Sequence, residues 1–102
     1  MTQPVRFKKI SDRLFEISGG RGAGGGAYVG DNGVLVIDAK IDKKSVDSVT
    51  DKIKRITDEP IKYLVNTHSD GDHIMGNRYF PASVTFISHQ NCRKEFLSML
   101  ME

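Results

Sequence analysis

The sequence predicts an α/β fold in which one mixed β-sheet carries helices on one face. Two observations lead to this expectation. Short apolar segments separated by turn residues fill the first third of the chain, which is typical of an antiparallel β-meander. Strand-like and helix-like segments then alternate, as they do where crossover connections join strands of one sheet. No repeat or linker divides the 102 residues, so we expect one small domain or part of a larger one.

The meander is predicted from four short apolar segments, at residues 5–7, 14–17, 27–29 and 34–37. Asn32-Gly33 lies between the last two segments and indicates a hairpin, because both residue types tolerate positive φ. The run Val34–Ile37 is apolar at every position, which predicts a strand buried on both faces. Asp38 closes this strand, where it either satisfies local amides or supports a nearby site.

The second part of the chain begins with Asp42, a plausible N-cap for a helix that continues to about Thr57. Apolar residues recur three or four positions apart along this helix, and Pro60 follows its end. We then predict a strand at 61–65, a helical turn at 74–79 and a strand at 84–87. A last helix is predicted from Asn91, with an apolar stripe formed by Cys92, Phe96, Met99 and Leu100.

Composition and charge exclude several classes of function. The net charge is +2 and the basic residues are scattered, which favours a solvated surface over a nucleic-acid interface. No segment approaches membrane-spanning length, and residues 1–20 contain no uninterrupted apolar run. A single cysteine is typical of a reducing compartment. We therefore expect a cytoplasmic protein without nucleic-acid or membrane partners.

Two imidazoles and two carboxylates lie within the run His68–His73, directly after the strand predicted at 61–65. His68, Asp70, Asp72 and His73 offer the mixed nitrogen and oxygen ligands that dications such as Zn²⁺, Mn²⁺ and Fe²⁺ accept. Gly71 allows a tight bend that can divide the four side chains between two metals. The alternative is a surface loop in which the aspartates act as caps, but all four residues together after a strand favour a metal site.

This segment resembles the signature of the metallo-β-lactamase superfamily, His-x-His-x-Asp-His followed by Gly-Gly-Asn. Residues 66–77 read NTHSDGDHIMGN, and residues 26–38 resemble the family's opening hairpin and its second strand ending in Asp. The likeness extends from about residue 10 to residue 95. Two positions differ: Asp70 replaces the second histidine, and Met75 replaces the first glycine.

The resemblance implies half of an αββα sandwich, with residues 1–102 as a single N-terminal half-domain that is incomplete relative to the family. It also implies that His68 and Asp70 bind one metal and that Asp72 and His73 bind the other. Asp72 would in addition be catalytic by orienting the nucleophile. The implied activity is hydrolysis of a small ester, thioester, amide or phosphoester by metal-activated water. Zinc is the expected metal, at partial occupancy, with iron or manganese as alternatives because Asp70 favours harder ions.

Three interpretations of the function are compatible with these features. The chain is either a hydrolase half, a non-catalytic truncated remnant, or a half-domain that dimerises without hydrolase activity. A homodimer packed through the sheet faces is expected, because helices are predicted for only one face. The glycine-rich segment 19–26 lacks the Gly-Lys-Ser/Thr of a phosphate loop and is interpreted as a hairpin flap. His89, between a strand and a helix, is a weaker candidate ligand.

Overall fold

A computed structural model describes residues 3–67 and 75–88 of the protein. Within these ranges the chain forms six strands, one α-helix and one 3-10 helix. In chain order they are β1 (Arg6–Lys9), β2 (Leu14–Ser18), β3 (Gly25–Val29), β4 (Val34–Ile37), α1 (Lys43–Ile56), β5 (Ile61–Asn66), the 3-10 helix Met75–Tyr79, and β6 (Thr85–Ser88). The last helix predicted from Asn91 lies outside the described residues.

All six strands belong to one mixed sheet in the order β1-β2-β3-β4-β5-β6. The pairs from β1 to β4 are antiparallel, as expected for a meander. The β4–β5 and β5–β6 pairs are parallel, because α1 and the segment after β5 each carry the chain back across the sheet. The predicted mixed sheet is therefore confirmed, and each predicted strand agrees with an observed one to within about two residues.

Helix α1 begins and ends where its local signals predict. The Asp42 side chain accepts a hydrogen bond from the Ser45 main-chain N–H at 2.9 Å, and Thr57 is the C-cap. The bonds from Ser45 hold the pKa of the Asp42 carboxyl below its usual value, because they stabilise the charged form. Val46, Val49 and other residues of the apolar stripe face the sheet and are buried.

The hydrophobic core lies between α1 and one face of the sheet. Val34 and Val36 of β4 and Leu64 of β5 are fully buried there, against Val46 and Ile53 of the helix. Full burial of such side chains contributes about 1.5–3 kcal/mol each. The helix-bearing face of the central strands therefore supplies most of the core of the described chain.

The opposite face of the sheet, here called the open face, is only partly covered. Strand register places Tyr28 and Tyr63 on this face on either side of Leu35, and Ile87 follows on β6 next to Val65. Tyr28 is 46% exposed, Tyr63 43% and Ile87 45%. The prediction that β4 is buried on both faces is thus met on one face only, because no described element packs on the other.

Candidate metal-binding edge of the sheet

Two parallel neighbours, β4 and β5, end at the same edge of the sheet. Ile37 near the end of β4 pairs with Val65 near the end of β5, and Asp38 and Thr67 follow at that edge. Loops beyond the carboxyl ends of parallel strands are where open α/β sheets place their binding sites. In the sequence, the run His68–His73 follows Thr67 directly.

Asp38 occupies a conformation that few residues adopt. Its φ is 62°, in the left-handed region where asparagine and aspartate are favoured over other non-glycine residues. Asp38 as a whole is 9% exposed. Its carboxylate accepts hydrogen bonds from the Thr67 main-chain N–H at 2.8 Å and from the Thr67 hydroxyl at 2.7 Å. The main-chain N–H of Asp38 donates to the Val65 carbonyl at 2.7 Å. Of its two expected roles, satisfaction of local donors is observed.

The side-chain amides of Asn66 and Asn77 form a reciprocal pair of hydrogen bonds. Asn66 Nδ2 donates to Asn77 Oδ1 at 3.2 Å, and Asn77 Nδ2 donates to Asn66 Oδ1 at 2.8 Å. The two residues are 6% and 8% exposed. Asn66 ends β5 and Asn77 lies within the 3-10 helix, so the pair joins the strand before residues 68–74 to the helix after them.

The 3-10 helix also fits closely against the chain after β4. A Cβ atom on Gly76 would lie 1.9 Å from the Lys40 carbonyl oxygen and 2.8 Å from Val46 Cγ2. No side chain can occupy that space, so glycine is required for this approach. Gly76 corresponds to the second glycine of the motif by which the sequence resembles its family.

Lys40 is buried, although nothing in the local sequence predicts it. It is 3% exposed, and its Nζ donates to the Ala23 carbonyl at 2.7 Å. Burial lowers the pKa of this ammonium, because removal from water disfavours the charged form. The bond ties the glycine-rich segment to the end of β4.

The glycine-rich segment is more firmly attached than a hairpin flap would be. The Gly20 N–H donates to the Gln3 carbonyl at 2.7 Å, and the Arg21 N–H donates to Ser45 Oγ at 2.9 Å. The segment then enters β3 rather than a helix, as expected for a chain that is not a phosphate loop. Next to it, a shallow groove of about 530 Å³ runs from Leu14 and Glu16 across residues 24–26 to Asp38.

The four predicted ligands, His68, Asp70, Asp72 and His73, lie outside the described residues, as does His89. Within 3–67 and 75–88, no group of three or more His, Cys, Asp or Glu side chains is placed to hold a metal. The structure describes both sides of the ligand-bearing run. Asn66, Asn77 and Lys40 hold the neighbouring segments together. Lys40 had no predicted role, and the two asparagines were predicted only as part of the stretch that resembles the family signature. Side chains two positions apart in a strand point to the same face, so the position of Asn66 two residues after Leu64 is the one local signal that Asn66 faces the core.

A mixed sheet whose neighbouring parallel strands end in polar groups at one edge defines an α/β protein, and open α/β sheets commonly bind ligands at such an edge. The family model described as the metallo-beta-lactamase superfamily matches residues 25–88. The match covers well over half of the chain, and the chain belongs to this superfamily. The family predicted from the run His68–His73 is therefore confirmed.

Solved structures of metallo-beta-lactamases share the fold. The enzyme FIM-1 from Pseudomonas aeruginosa, in its mono-zinc form, is 14% identical with a TM-score of 0.81, and the match covers 93% of this chain and 46% of that one. The protein from Hirschia baltica is 14% identical with a TM-score of 0.81, covering 95% and 48%. DIM-1 is 13% identical with a TM-score of 0.80, covering 100% and 50%. The chain thus spans about half the length of these structures.

No match is found among curated protein sequences. In the part of the chain that the structure describes, no helix is both long and apolar enough to cross a membrane.

Proposed function

We propose that residues 1–102 form one half-domain of a metal-dependent hydrolase, with His68, Asp70, Asp72 and His73 as its metal ligands. The observation that carries the proposal is the attachment of the segments on both sides of this run. Thr67 before it is bonded to Asp38, and Asn77 after it is bonded to Asn66. Ligands held between fixed ends lose less conformational freedom when a metal binds.

The donor set suits a hard or borderline dication. Neutral imidazoles of His68 and His73 provide nitrogen ligands, and the carboxylates of Asp70 and Asp72 provide oxygen ligands and negative charge. Zinc is the proposed metal, and iron or manganese are the alternatives that Asp70 favours. When bound, such an ion supplies water of lowered pKa near neutral pH.

The chain's own residues have separate proposed roles in hydrolysis. Asp72 would be the catalytic carboxylate that orients the attacking water, and Asp38 would hold Thr67 so that the run leaves β5 in a constant direction. The groove beside Asp38 offers space of about 530 Å³ for a small ester, thioester, amide or phosphoester. Its glycine-lined part, Gly24–Gly26, carries no side chains to obstruct such a molecule.

Metal titration of the full chain tests this proposal. We expect weak zinc binding or partial occupancy, because four side chains cannot complete two metal sites. The substitutions His68→Ala and Asp72→Ala should each abolish binding, while the melting temperature in chelator barely changes. Asp12→Ala is the matched control, because Asp12 lies in the turn after β1 with a fully exposed side chain, and it should leave binding intact.

Two results would contradict the proposal. Binding that survives both ligand substitutions would show that the run does not hold the metal. A large loss of stability in chelator would show that His68 and Asp72 are structural caps.

Zinc-, manganese- and iron-loaded protein should then be assayed on chromogenic esters, thioesters, amides and phosphoesters. Turnover that the Asp72→Ala variant lacks supports the hydrolase, and its absence in metal-loaded protein favours the non-catalytic reading.

A second function is favoured by the open face. We infer that a second copy of this chain packs on it, with Tyr28, Tyr63 and Ile87 at the centre of the contact. These large side chains are 43–46% exposed on the face opposite α1, and soluble monomers seldom expose large contiguous apolar patches.

Sedimentation analysis tests the homodimer. The protein should sediment as a dimer at micromolar concentration, and Tyr63→Lys should dissociate it because a buried unpaired ammonium is costly. Ile56→Lys is the control, since Ile56 is 41% exposed but lies on α1, away from the open face. A stable monomer, or a dimer that Tyr63→Lys leaves intact, would overturn this inference.

A further inference from the structure

The reciprocal pair of Asn66 and Asn77 bonds the end of the strand before the proposed ligand run to the 3-10 helix after it. The two residues are eleven positions apart, and each amide both donates to and accepts from the other. Both are more than nine-tenths buried. The pair fixes not only the distance between β5 and the 3-10 helix but also their relative rotation, because two antiparallel hydrogen bonds have one good geometry.

Packing alone does not account for two amides at this position. Burial of polar amides carries a desolvation cost that hydrogen bonds offset only in part. Two leucines of similar shape would fill the same space at equal or lower cost, because neither would need a partner. The property that two leucines would not reproduce is therefore the fixed direction of the two amide hydrogen bonds.

The neighbouring contacts act on the same two chain segments. The Thr67 N–H and hydroxyl are held by Asp38, before the run. Gly76 lies directly against the Lys40 main chain, after the run. Asp38 and Lys40 are themselves two residues apart after β4, so the segments on both sides of the ligand run contact one short stretch of chain.

We propose that the Asn66–Asn77 pair is a positioning clasp that sets the metal affinity of the run His68–His73. This inference rests on the proposed function, because it assigns a role toward the same metal. Neither asparagine is among the proposed ligands. They act through the segments they join, in the way that residues bonded outside a metal's own ligands commonly change affinity 10–100-fold.

The test separates positioning from stability. Asn77→Ala removes one partner and should lower both the melting temperature and zinc affinity. The double variant Asn66→Leu/Asn77→Leu removes both amides, so its melting temperature in chelator should recover toward that of the parent. Its zinc dissociation constant, measured by calorimetry, should still be about 10–100-fold weaker. Val49→Ala is the control for general destabilisation, since this core residue lies on α1, and its zinc affinity should match the parent.

A metal-free measurement distinguishes failure of the clasp from failure of the metal site. Hydrogen exchange at the Thr67 amide should be at least tenfold faster in the double leucine variant than in the parent, because the strand end is no longer held to the 3-10 helix. If the parent binds no zinc, the proposed function fails, and the exchange rate still reports on the clasp. Parent-like zinc affinity or parent-like Thr67 exchange in the double variant would overturn the clasp.

Discussion

Replacement of Asp38 should separate two contributions that this residue makes at the sheet edge. Its carboxylate accepts two bonds from Thr67, and its backbone has a φ of 62°. Asp38→Ala removes both bonds and places alanine in the left-handed region. Asp38→Gly removes the same bonds without that steric cost, and Asp38→Asn keeps both tolerance of positive φ and one oxygen acceptor.

The magnitudes follow from these features. Hydrogen bonds to charged groups contribute about 1.5–3 kcal/mol, but Thr67 is exposed, so water replaces part of that and we expect about 2 kcal/mol for the two bonds together. In the left-handed region alanine is about 1–2 kcal/mol less favourable than glycine. The greater entropy of glycine in the unfolded chain destabilises the glycine variant by about 0.5–1 kcal/mol, which offsets part of the difference between the two variants. Asp38→Gly should therefore cost about 2 kcal/mol, and Asp38→Ala about 0.5–1 kcal/mol more.

Urea unfolding followed by circular dichroism, in the presence of a chelator, measures these differences. The expected order of stability is Asp38, then asparagine, then glycine, then alanine. At about 4–8 °C per kcal/mol for a domain of this size, the alanine variant should melt more than 8 °C below the parent. An alanine variant as stable as the asparagine variant would refute both the bonding and the backbone argument.

The remaining predictions concern the segments around this edge. Gly76→Ala should lower the free energy of unfolding by at least about 3 kcal/mol, because its Cβ would lie 1.9 Å from a main-chain oxygen. Gly24→Ala, whose Cβ would lie 3.3 Å from its nearest atom, should lower it by under about 1 kcal/mol. Equal losses in urea unfolding would contradict this. The lowered pKa of Lys40 means that the folded state binds fewer protons, so this residue should make the free energy of unfolding rise with pH from its folded pKa up to about 10.5, a rise that Lys40→Met should lack. The lowered pKa of Asp42 acts in the same direction in a more acidic range: its contribution to the free energy of unfolding is present above about pH 4 and is lost as the pH falls through the folded pKa. Asp42→Ala should therefore lower the free energy of unfolding by about 1 kcal/mol at pH 7, and by progressively less as the pH falls through that folded pKa. Parent-like acid unfolding of that variant would refute the cap.

The elements of the fold could be predicted because their signals are local. Asp42 is followed by an apolar stripe at helical spacing, and the observed helix begins at Lys43 and ends at Ile56. The run Val34–Ile37 is a strand with the predicted bounds. Propensity, capping and side-chain period act over a few residues, so the sequence itself determines these elements, their order and the family to which the chain belongs. It also determines the donor chemistry of His68, Asp70, Asp72 and His73.

Only the tertiary structure decided how the sides of that run are held. Thr67 and Asp38 are 29 positions apart, and Lys40 and Ala23 are 17 apart, so no local pattern relates them. The strand before the run was predicted to end at residue 65, yet Asn66 ends β5 and is buried against Asn77. Asp38 combines a positive φ with bonds to Thr67, and the open face is exposed because no described element covers it. These features depend on which segments the completed sheet brings together, and that choice is made by the packing of the whole chain.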